Sequence, residues 1–236
     1  DYALNKTEKG FIIISFDEAQ LLRLLAGGKG RIDFRSIMAY AYDNLRGLRF
    51  ILTGSEVGLL LHFLRLDDAS SPLYGRYTSI VRVERFTRDR SIEFLNRGFK
   101  EVKMNVSDDA LDAIIEKVNG IPGWLTYFGY MCYESGGASK ETIKAVTEKA
   151  LGLVEKELEG LFKRSIQYKH VLKAISLGAT SWSSIKRAVE AWIGRMLTNA
   201  EATRFLNTLI NLSIVEKTDG EYKIIDPLIA EYCRKI

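Results

Sequence analysis

Phe11-Ile12-Ile13-Ile14-Ser15-Phe16-Asp17-Glu18-Ala19-Gln20 is an almost unbroken apolar run that ends in two adjacent carboxylates. Apolar residues on both alternating faces predict a buried central strand of a parallel sheet, since a strand covered on both sides does not alternate polar with apolar. Ligands of open α/β sheets bind beyond the carboxyl ends of such strands. Acid side chains there can hold a hard cation and orient a water. Asp17 and Glu18 stand in that position.

Downstream, Leu21–Leu25 continues as a short helix that Ala26-Gly27-Gly28-Lys29-Gly30 breaks. This glycine-rich stretch is not a phosphate-binding loop of the form G-x-x-x-x-G-K-[ST]: Lys29 is followed by Gly30, and Arg23 stands where the opening glycine belongs. Gly136-Gly137-Ala138-Ser139-Lys140 fails the same test. Residues 33–45 read as a helix with Phe34, Ile37, Met38, Ala41 and Leu45 on one face, returning the chain to a second strand at Leu48–Leu52. Thr53-Gly54-Ser55-Glu56 follows at that strand's carboxyl end, and either hydroxyl is a fit cap for a helix beginning at Glu56. Leu59–Leu66 is apolar enough to pack as a helix, with His62 as a partly buried surface histidine. After the turn at Ser70-Ser71-Pro72, Leu73-Tyr74-Gly75-Arg76 precedes a third expected strand, Ser79–Val83, with Arg76 exposed before it.

From Arg88 the periodicity is helical. Ile92, Phe94, Leu95 and Phe99 mark one helix, and Ser107 with Asp108 and Asp109 opens another that runs through Val118. Gly120 supplies a stop and Pro122 the first position of the next helix. Ser139–Leu158 is a further helix with a solvated Lys/Glu face. Three helices near Tyr168–Leu177, Trp182–Ala191 and Ala200–Leu212 lead into strands at Ile214–Lys217 and Tyr222–Ile225, joined by Thr218-Asp219-Gly220. That order is a winged helix-turn-helix. Its third helix offers Asn199, Thr203, Arg204, Asn207 and Thr208, only one of them cationic.

Four stretches together carry a resemblance: Phe11–Gln20, Leu48–Leu61, Ser71–Arg76 (SPLYGR) and Gly120–Trp124 (GIPGW). In this order they resemble the archaeal ATPase family within the AAA+/STAND group of P-loop ATPases, with Phe11–Gln20 as its Walker B strand. The resemblance implies an α/β fold: a partial P-loop NTPase (AAA+-like) parallel sheet over residues 1–86, a helical lid over 87–160 and a winged-helix domain over 161–236. It implies ATP and Mg2+ as ligands, Asp17 as the metal-holding acid and Glu18 as the residue that activates water. Thr53 or Ser55 takes the sensor 1 place near the terminal phosphate. Arg76 lies near a nucleotide, of its own site or of a neighbouring subunit in an oligomer. Pro122 sits against the adenine. No sensor 2 arginine is apparent near it. The family's first two strands, with the phosphate-binding loop, have no counterpart, so the chain is expected to be the carboxyl-terminal portion of a longer ATPase or to receive that part from elsewhere.

Composition bounds the rest. With 47% hydrophobic and 27% charged residues among 236, the chain is long enough for a packed core and too apolar for disorder. No apolar run reaches the ~20 residues that span a bilayer, and the first residues do not read as a signal peptide, so a cytoplasmic location without membrane contact is expected. Two cysteines, Cys132 and Cys233, and two histidines exclude a transition-metal cluster. The net charge is +4, and residues 165–236 hold ten Lys/Arg against seven Asp/Glu, which fits a solvated surface and leaves duplex binding open. Three functions remain: an ATP-driven switch, a non-catalytic winged-helix module for DNA or protein, and an interaction module that keeps the fold without nucleotide. Against the last stands the Asp-Glu pair, whose charges repel unless a cation or hydrogen-bond network offsets them.

Overall fold

The computed structural model describes residues 11–27 and 32–236, which fall into two compact units: residues through Val81 together with Ile210–Ser213, and Arg82–Leu209 together with Ile214–Ile236. The expected linker at 1–10 and most of the glycine-rich stretch at 26–30 lie outside the described residues.

The first unit is built on one parallel pair. Strand β1 (Ile12–Phe16) lies beside β2 (Leu48–Leu52), in register from Ile12↔Leu48 to Phe16↔Leu52. A 3-10 helix (Ala19–Gly27) follows β1, and helix α1 (Phe34–Asn44) makes the crossover, its first turn capped by the Asp33 carboxylate on the Arg35 N–H. The rings of Phe16, Phe34 and Phe50 meet at 4.9 to 6.4 Å between centroids and join both strands to the start of α1. Met38 packs with Phe63 and Leu64 of α2 (Val57–Leu64) to complete this core. Burial on α1 falls on Met38, Ala39 and Ala41, whereas Ile37, expected on the same face, is exposed.

Two strand expectations change. β1 is not covered on both sides: Ile13 is 52% and Ile14 37% exposed, because among the described residues its sheet has two strands and each is the other's only neighbour. Ser79–Val83 is not a strand. It has no regular structure, and Val81 and Val83 are 82% and 90% exposed. A β-prone stretch adopts strand geometry only where a neighbour accepts its ladder of hydrogen bonds, and no described strand lies beside this one.

The second unit packs α3 (Arg88–Glu101), α4 (Asp108–Val118), α5 (Pro122–Glu134) and the 25-residue α6 (Lys140–Arg164). It continues with α7 (Gln167–Ser176), α8 (Trp182–Ile193), α9 (Asn199–Asn211), the antiparallel hairpin β3 (Val215–Thr218) and β4 (Glu221–Ile224), and α10 (Pro227–Lys235). Ser107, Ser139 and Ser181 cap their helices with side-chain oxygens, and Pro122 and Pro227 occupy first-turn positions where a missing N–H costs nothing. Asp219 and Gly220 both take positive φ, 53° and 84°, as the two-residue turn of this hairpin requires. Buried Leu111, Ile114, Leu125, Phe128, Val154 and Leu158 fill the helical layer, and Leu172, Ile185, Leu206, Leu209 and Leu228 fill the winged-helix part.

Gly120 locks the chain's path between these elements. Its φ is +74°, its carbonyl accepts the Phe86 N–H at 2.9 Å, and a Cβ added to it would meet the Phe86 carbonyl oxygen at 2.0 Å. Gly120→Ala is therefore expected to cost at least about 2 kcal/mol of stability, from left-handed strain and a backbone clash together. Chemical denaturation of the two proteins side by side measures it.

Candidate functional site

The parallel pairing continues past the ends of both strands. Thr53 N–H donates to the Phe16 carbonyl at 2.9 Å, and Ala19 N–H donates to the Thr53 carbonyl at 2.8 Å. These bonds hold the two post-strand loops side by side, Asp17-Glu18-Ala19-Gln20 against Thr53-Gly54-Ser55-Glu56.

The side chains then interlock. The Thr53 hydroxyl donates to Asp17 Oδ1 at 2.5 Å, and Ser55 Oγ reaches both Glu18 carboxylate oxygens at 3.0 and 3.1 Å. Neither hydroxyl caps α2: its N-cap is Glu56, with no side-chain cap bond. Asp17 Oδ1 also accepts the Glu18 N–H at 3.0 Å, and Glu18 adopts the left-handed region with φ 49°. That turn lets the chain leave a straight strand for the 3-10 helix while both carboxylates stay at the sheet's end. Asp17 is exposed and Glu18 half-buried, so the pair is open to a ligand.

Two residues to which the sequence pattern assigned no role complete the cluster. Gln20 is 2% exposed, and its Nε2 donates to Glu18 Oε2 at 2.5 Å and to Glu56 Oε2 at 3.3 Å. Its Oε1 is buried without a donor among the described residues. A buried glutamine within two residues of an acid pair is the available sequence signal, but only the fold brings Glu56 to it.

Asp17, Glu18, Thr53 and Ser55 are thus brought together. Arg76 is not with them. It forms a bidentate pair with Asp43, Nε to Oδ1 at 3.1 Å and Nη2 to Oδ2 at 2.5 Å, and a further bond to the Pro72 carbonyl. Asp43 lies near the end of α1, five residues before β2 begins, so Arg76 is fixed at the end of the crossover opposite Asp17. Pro122 belongs to the second unit, as the first residue of α5. Two residues on, the Trp124 indole N–H donates to Asp226 Oδ2 at 2.6 Å, while Asp226 Oδ1 caps α10.

On α9, Asn199, Thr203, Arg204 and Asn207 are exposed and Thr208 is half-exposed. The Thr203 hydroxyl accepts the Trp182 indole N–H at 3.2 Å, and Thr208 Oγ1 donates to the Arg204 carbonyl, so both hydroxyls already have partners. Cys132 and Cys233 are fully buried, and burial pushes their thiols up to about 11 and about 12, which removes them as nucleophiles. Among the described residues no three His, Cys, Asp or Glu side chains cluster as a metal site, and no helix is long and apolar enough to cross a membrane.

Residues 162–225 match the family model of the MCM protein C-terminal winged helix-turn-helix domain. Among solved structures, the chain is similar to a Walker-type ATPase of Pyrococcus abyssi, at 41% identity and a TM-score of 0.88 over 96% of this chain. It spans 64% of that protein's length. The RuvB Holliday junction branch migration motor of Thermotoga maritima also aligns, at 17% identity and a TM-score of 0.44, over 94% of this chain and 70% of RuvB. A single-substitution variant of that RuvB gives 16% and 0.46 over the same shares. No curated protein matches the chain. The fold is α/β, a short parallel sheet with many helices and a winged-helix domain, and over 96% of this chain it is similar to the fold of that Walker-type ATPase.

The Arg76 guanidinium, through its hydrogen bonds and then its charge, holds the Asp43 carboxyl below its ordinary value. A carboxyl lowered in the folded state contributes stability that is present above its unfolded pKa and is lost as pH falls through the folded value. Asp43→Asn is expected to flatten the fall of Tm with acid below about pH 4. Thermal melts at closely spaced pH values read this slope.

Proposed function

We propose that the protein is an ATP-dependent molecular switch of the AAA+/STAND type whose hydrolytic centre is the paired loop Asp17-Glu18/Thr53-Ser55. The observation that carries this reading is the side-by-side placement of the two carboxylates and the two hydroxyls at the carboxyl end of β1 and β2, each acid held by its own hydroxyl. The 41% identity to a Walker-type ATPase supports it.

The donor set fits magnesium. It consists of hard oxygens, and its one exposed carboxylate suits an ion that takes one or two protein carboxylates and completes its shell with water and phosphate. Asp17 is the residue that would hold it. When bound, the ion neutralises charge on the terminal phosphates. Glu18, steadied by Ser55, orients a water and accepts its proton as the water oxygen bonds to the terminal phosphorus and the bond from that phosphorus to the bridging oxygen breaks, releasing the nucleoside diphosphate. Thr53 and Ser55 lie where a terminal phosphate would compete for their hydroxyl protons, so exchanging a carboxylate partner for a phosphate partner is the sensing event. In this reading Pro122 sits against the adenine and residues 87–160 act as a lid. Residues 161–236 act as the winged-helix output. Arg76, fixed to Asp43 away from its own chain's acids, serves only a neighbouring subunit's phosphates.

Glu18→Gln in the full-length protein is expected to keep Mg-ATP affinity within about threefold and to lower turnover on the order of 100-fold or more, the scale of losing a general base. Equilibrium nucleotide binding and phosphate release measure the two quantities. Unchanged turnover would remove Glu18 from this role.

A second reading rests on the match of residues 162–225 to a winged helix-turn-helix model: a non-catalytic DNA- or protein-binding module. α9 presents Arg204 as its one cation beside neutral Asn199, Asn207 and Thr203, which gives few phosphate contacts. Duplex binding by this face is therefore expected to be weak, with a shallow dependence on salt. Fluorescence anisotropy across a salt series, with and without residues 165–236, tests it. A steep slope that disappears with the deletion would favour the DNA-binding module.

A further inference from the structure

Gln20 occupies an unusual electrostatic position. Its carboxamide nitrogen lies between two carboxylates, 2.5 Å from Glu18 Oε2 and 3.3 Å from Glu56 Oε2, while the rest of the residue is buried. The orientation of the amide is fixed by its neighbours. Turned over, its oxygen would face both acids, whereas as placed its NH2 gives one proton to each. The cost of this choice is visible on the other side, where Oε1 is buried with no donor among the described residues. A buried acceptor without a partner is tolerated only where something else gains from the arrangement.

The opposing loop leaves room for that oxygen at Gly54. A Cβ added at Gly54 would lie 2.4 Å from Gln20 Oε1 and 3.3 Å from Leu60 Cδ2. Gly54 does not have the positive φ that would explain a glycine by conformation. Space for the carboxamide explains it. Thr53, Gly54, Ser55 and Glu56 thus meet Asp17, Gln20, Glu18 and again Gln20, and the glycine is the member that makes contact by having no side chain.

We infer that Gln20 is a positioning residue for the reaction: its carboxamide, seated against Gly54 and anchored on Glu56, holds Glu18 Oε2 and so fixes the direction in which Glu18 presents Oε1, the oxygen the amide does not hold, to water. This rests on the hydrolytic reading of Glu18 given above. Without the amide, Glu18 keeps only the Ser55 hydroxyl, which rotates about its own χ1, and it faces the unshielded charge of Glu56. Loss of Gln20 then lowers the fraction of molecules in which Glu18 is aimed correctly, with little change in the groups that hold nucleotide.

The test uses the full-length protein and two variants. Gln20→Met keeps the length and apolar stem and removes both N–H donors. Gly54→Ala keeps Gln20 and displaces its amide. Both are assayed for Mg-ATP affinity, kcat and KM, with thermal melts to confirm folding. The expected result is a kcat 10- to 100-fold lower in each, a KM within about threefold of wild type, and a double variant no slower than Gln20→Met, because both changes remove the same contact. An active wild type whose kcat survives Gln20→Met overturns this proposal alone. Should Gln20→Met not fold, Gly54→Ala decides on its own: wild-type kcat overturns the proposal, and a selective loss of kcat upholds it. A wild-type protein that neither binds nor hydrolyses Mg-ATP overturns the hydrolytic reading and this one with it, so the two failures are told apart by the wild type.

Discussion

Two backbone hydrogen bonds beyond the ends of the strands decide what this fold can do. β1 and β2 are five residues each, and a short parallel pair would ordinarily splay where its ladder stops. Here Thr53 N–H to Phe16 and Ala19 N–H to Thr53 extend the pairing into the loops. Thirty-six residues separate Asp17 from Thr53 in the chain, yet their side chains are in hydrogen-bond contact. The Phe16–Phe34–Phe50 ring contacts join β1, β2 and the start of α1 next to the same corner. Apolar packing and site geometry are coupled at one place.

Bringing Asp17, Glu18 and Glu56 to that corner concentrates negative charge, and the fold answers with neutral donors. A hydroxyl serves Asp17, a hydroxyl and an amide serve Glu18, and the same amide serves Glu56. A cationic side chain would stabilise these acids more strongly, but it would also occupy the place of a metal ion or an incoming phosphate's counter-charge. Arg35 at the start of α1 and Arg76 beyond its end each form a bidentate pair with another carboxylate, Asp33 and Asp43. Among the described residues these acids are held in place by neutral donors.

Much of this was legible in the sequence where local chemistry dictates structure. The end of β1 at Asp17, the strand at Leu48–Leu52, the serine cap at 107, Pro122 at a helix start and the Asp-Gly hairpin all follow from residue type and spacing, and the winged-helix elements fall within a few residues of their expected places. Where a feature depends on a neighbour, sequence reasoning fails. Ser79–Val83 has the composition of a strand but no described strand beside it, and β1 has the composition of a doubly covered strand but an open face. Thr53 and Ser55 were equally suited to capping α2 or to facing the acids, and only the pairing register settled which. Glu56 and Gly54 were invisible for the same reason: their meaning lies in Gln20, which meets them only through tertiary contact.

The second unit shows how a change at its helical layer would reach the winged helix. Asp226 accepts the Trp124 indole with one oxygen and caps α10 with the other, so the residue that starts α10 is bound directly to the turn that begins at Pro122. Lys117 and Lys235 add ion pairs to Glu231 and Glu148, which join α10 to α4 and α6, and the Arg85 guanidinium binds the Ile225 carbonyl just after β4. Exposed pairs of this kind contribute little singly, but the Trp124–Asp226 bond is partly buried and charge-assisted, and the apolar faces of α10 pack against α6 and α7 around Leu228 and Cys233. Helices joined by a shared buried face and several cross-links move as a body, since separating them would expose that face. α5 and α10 are thus tied through Asp226, and α10 to α6 and α7 through the face they bury together.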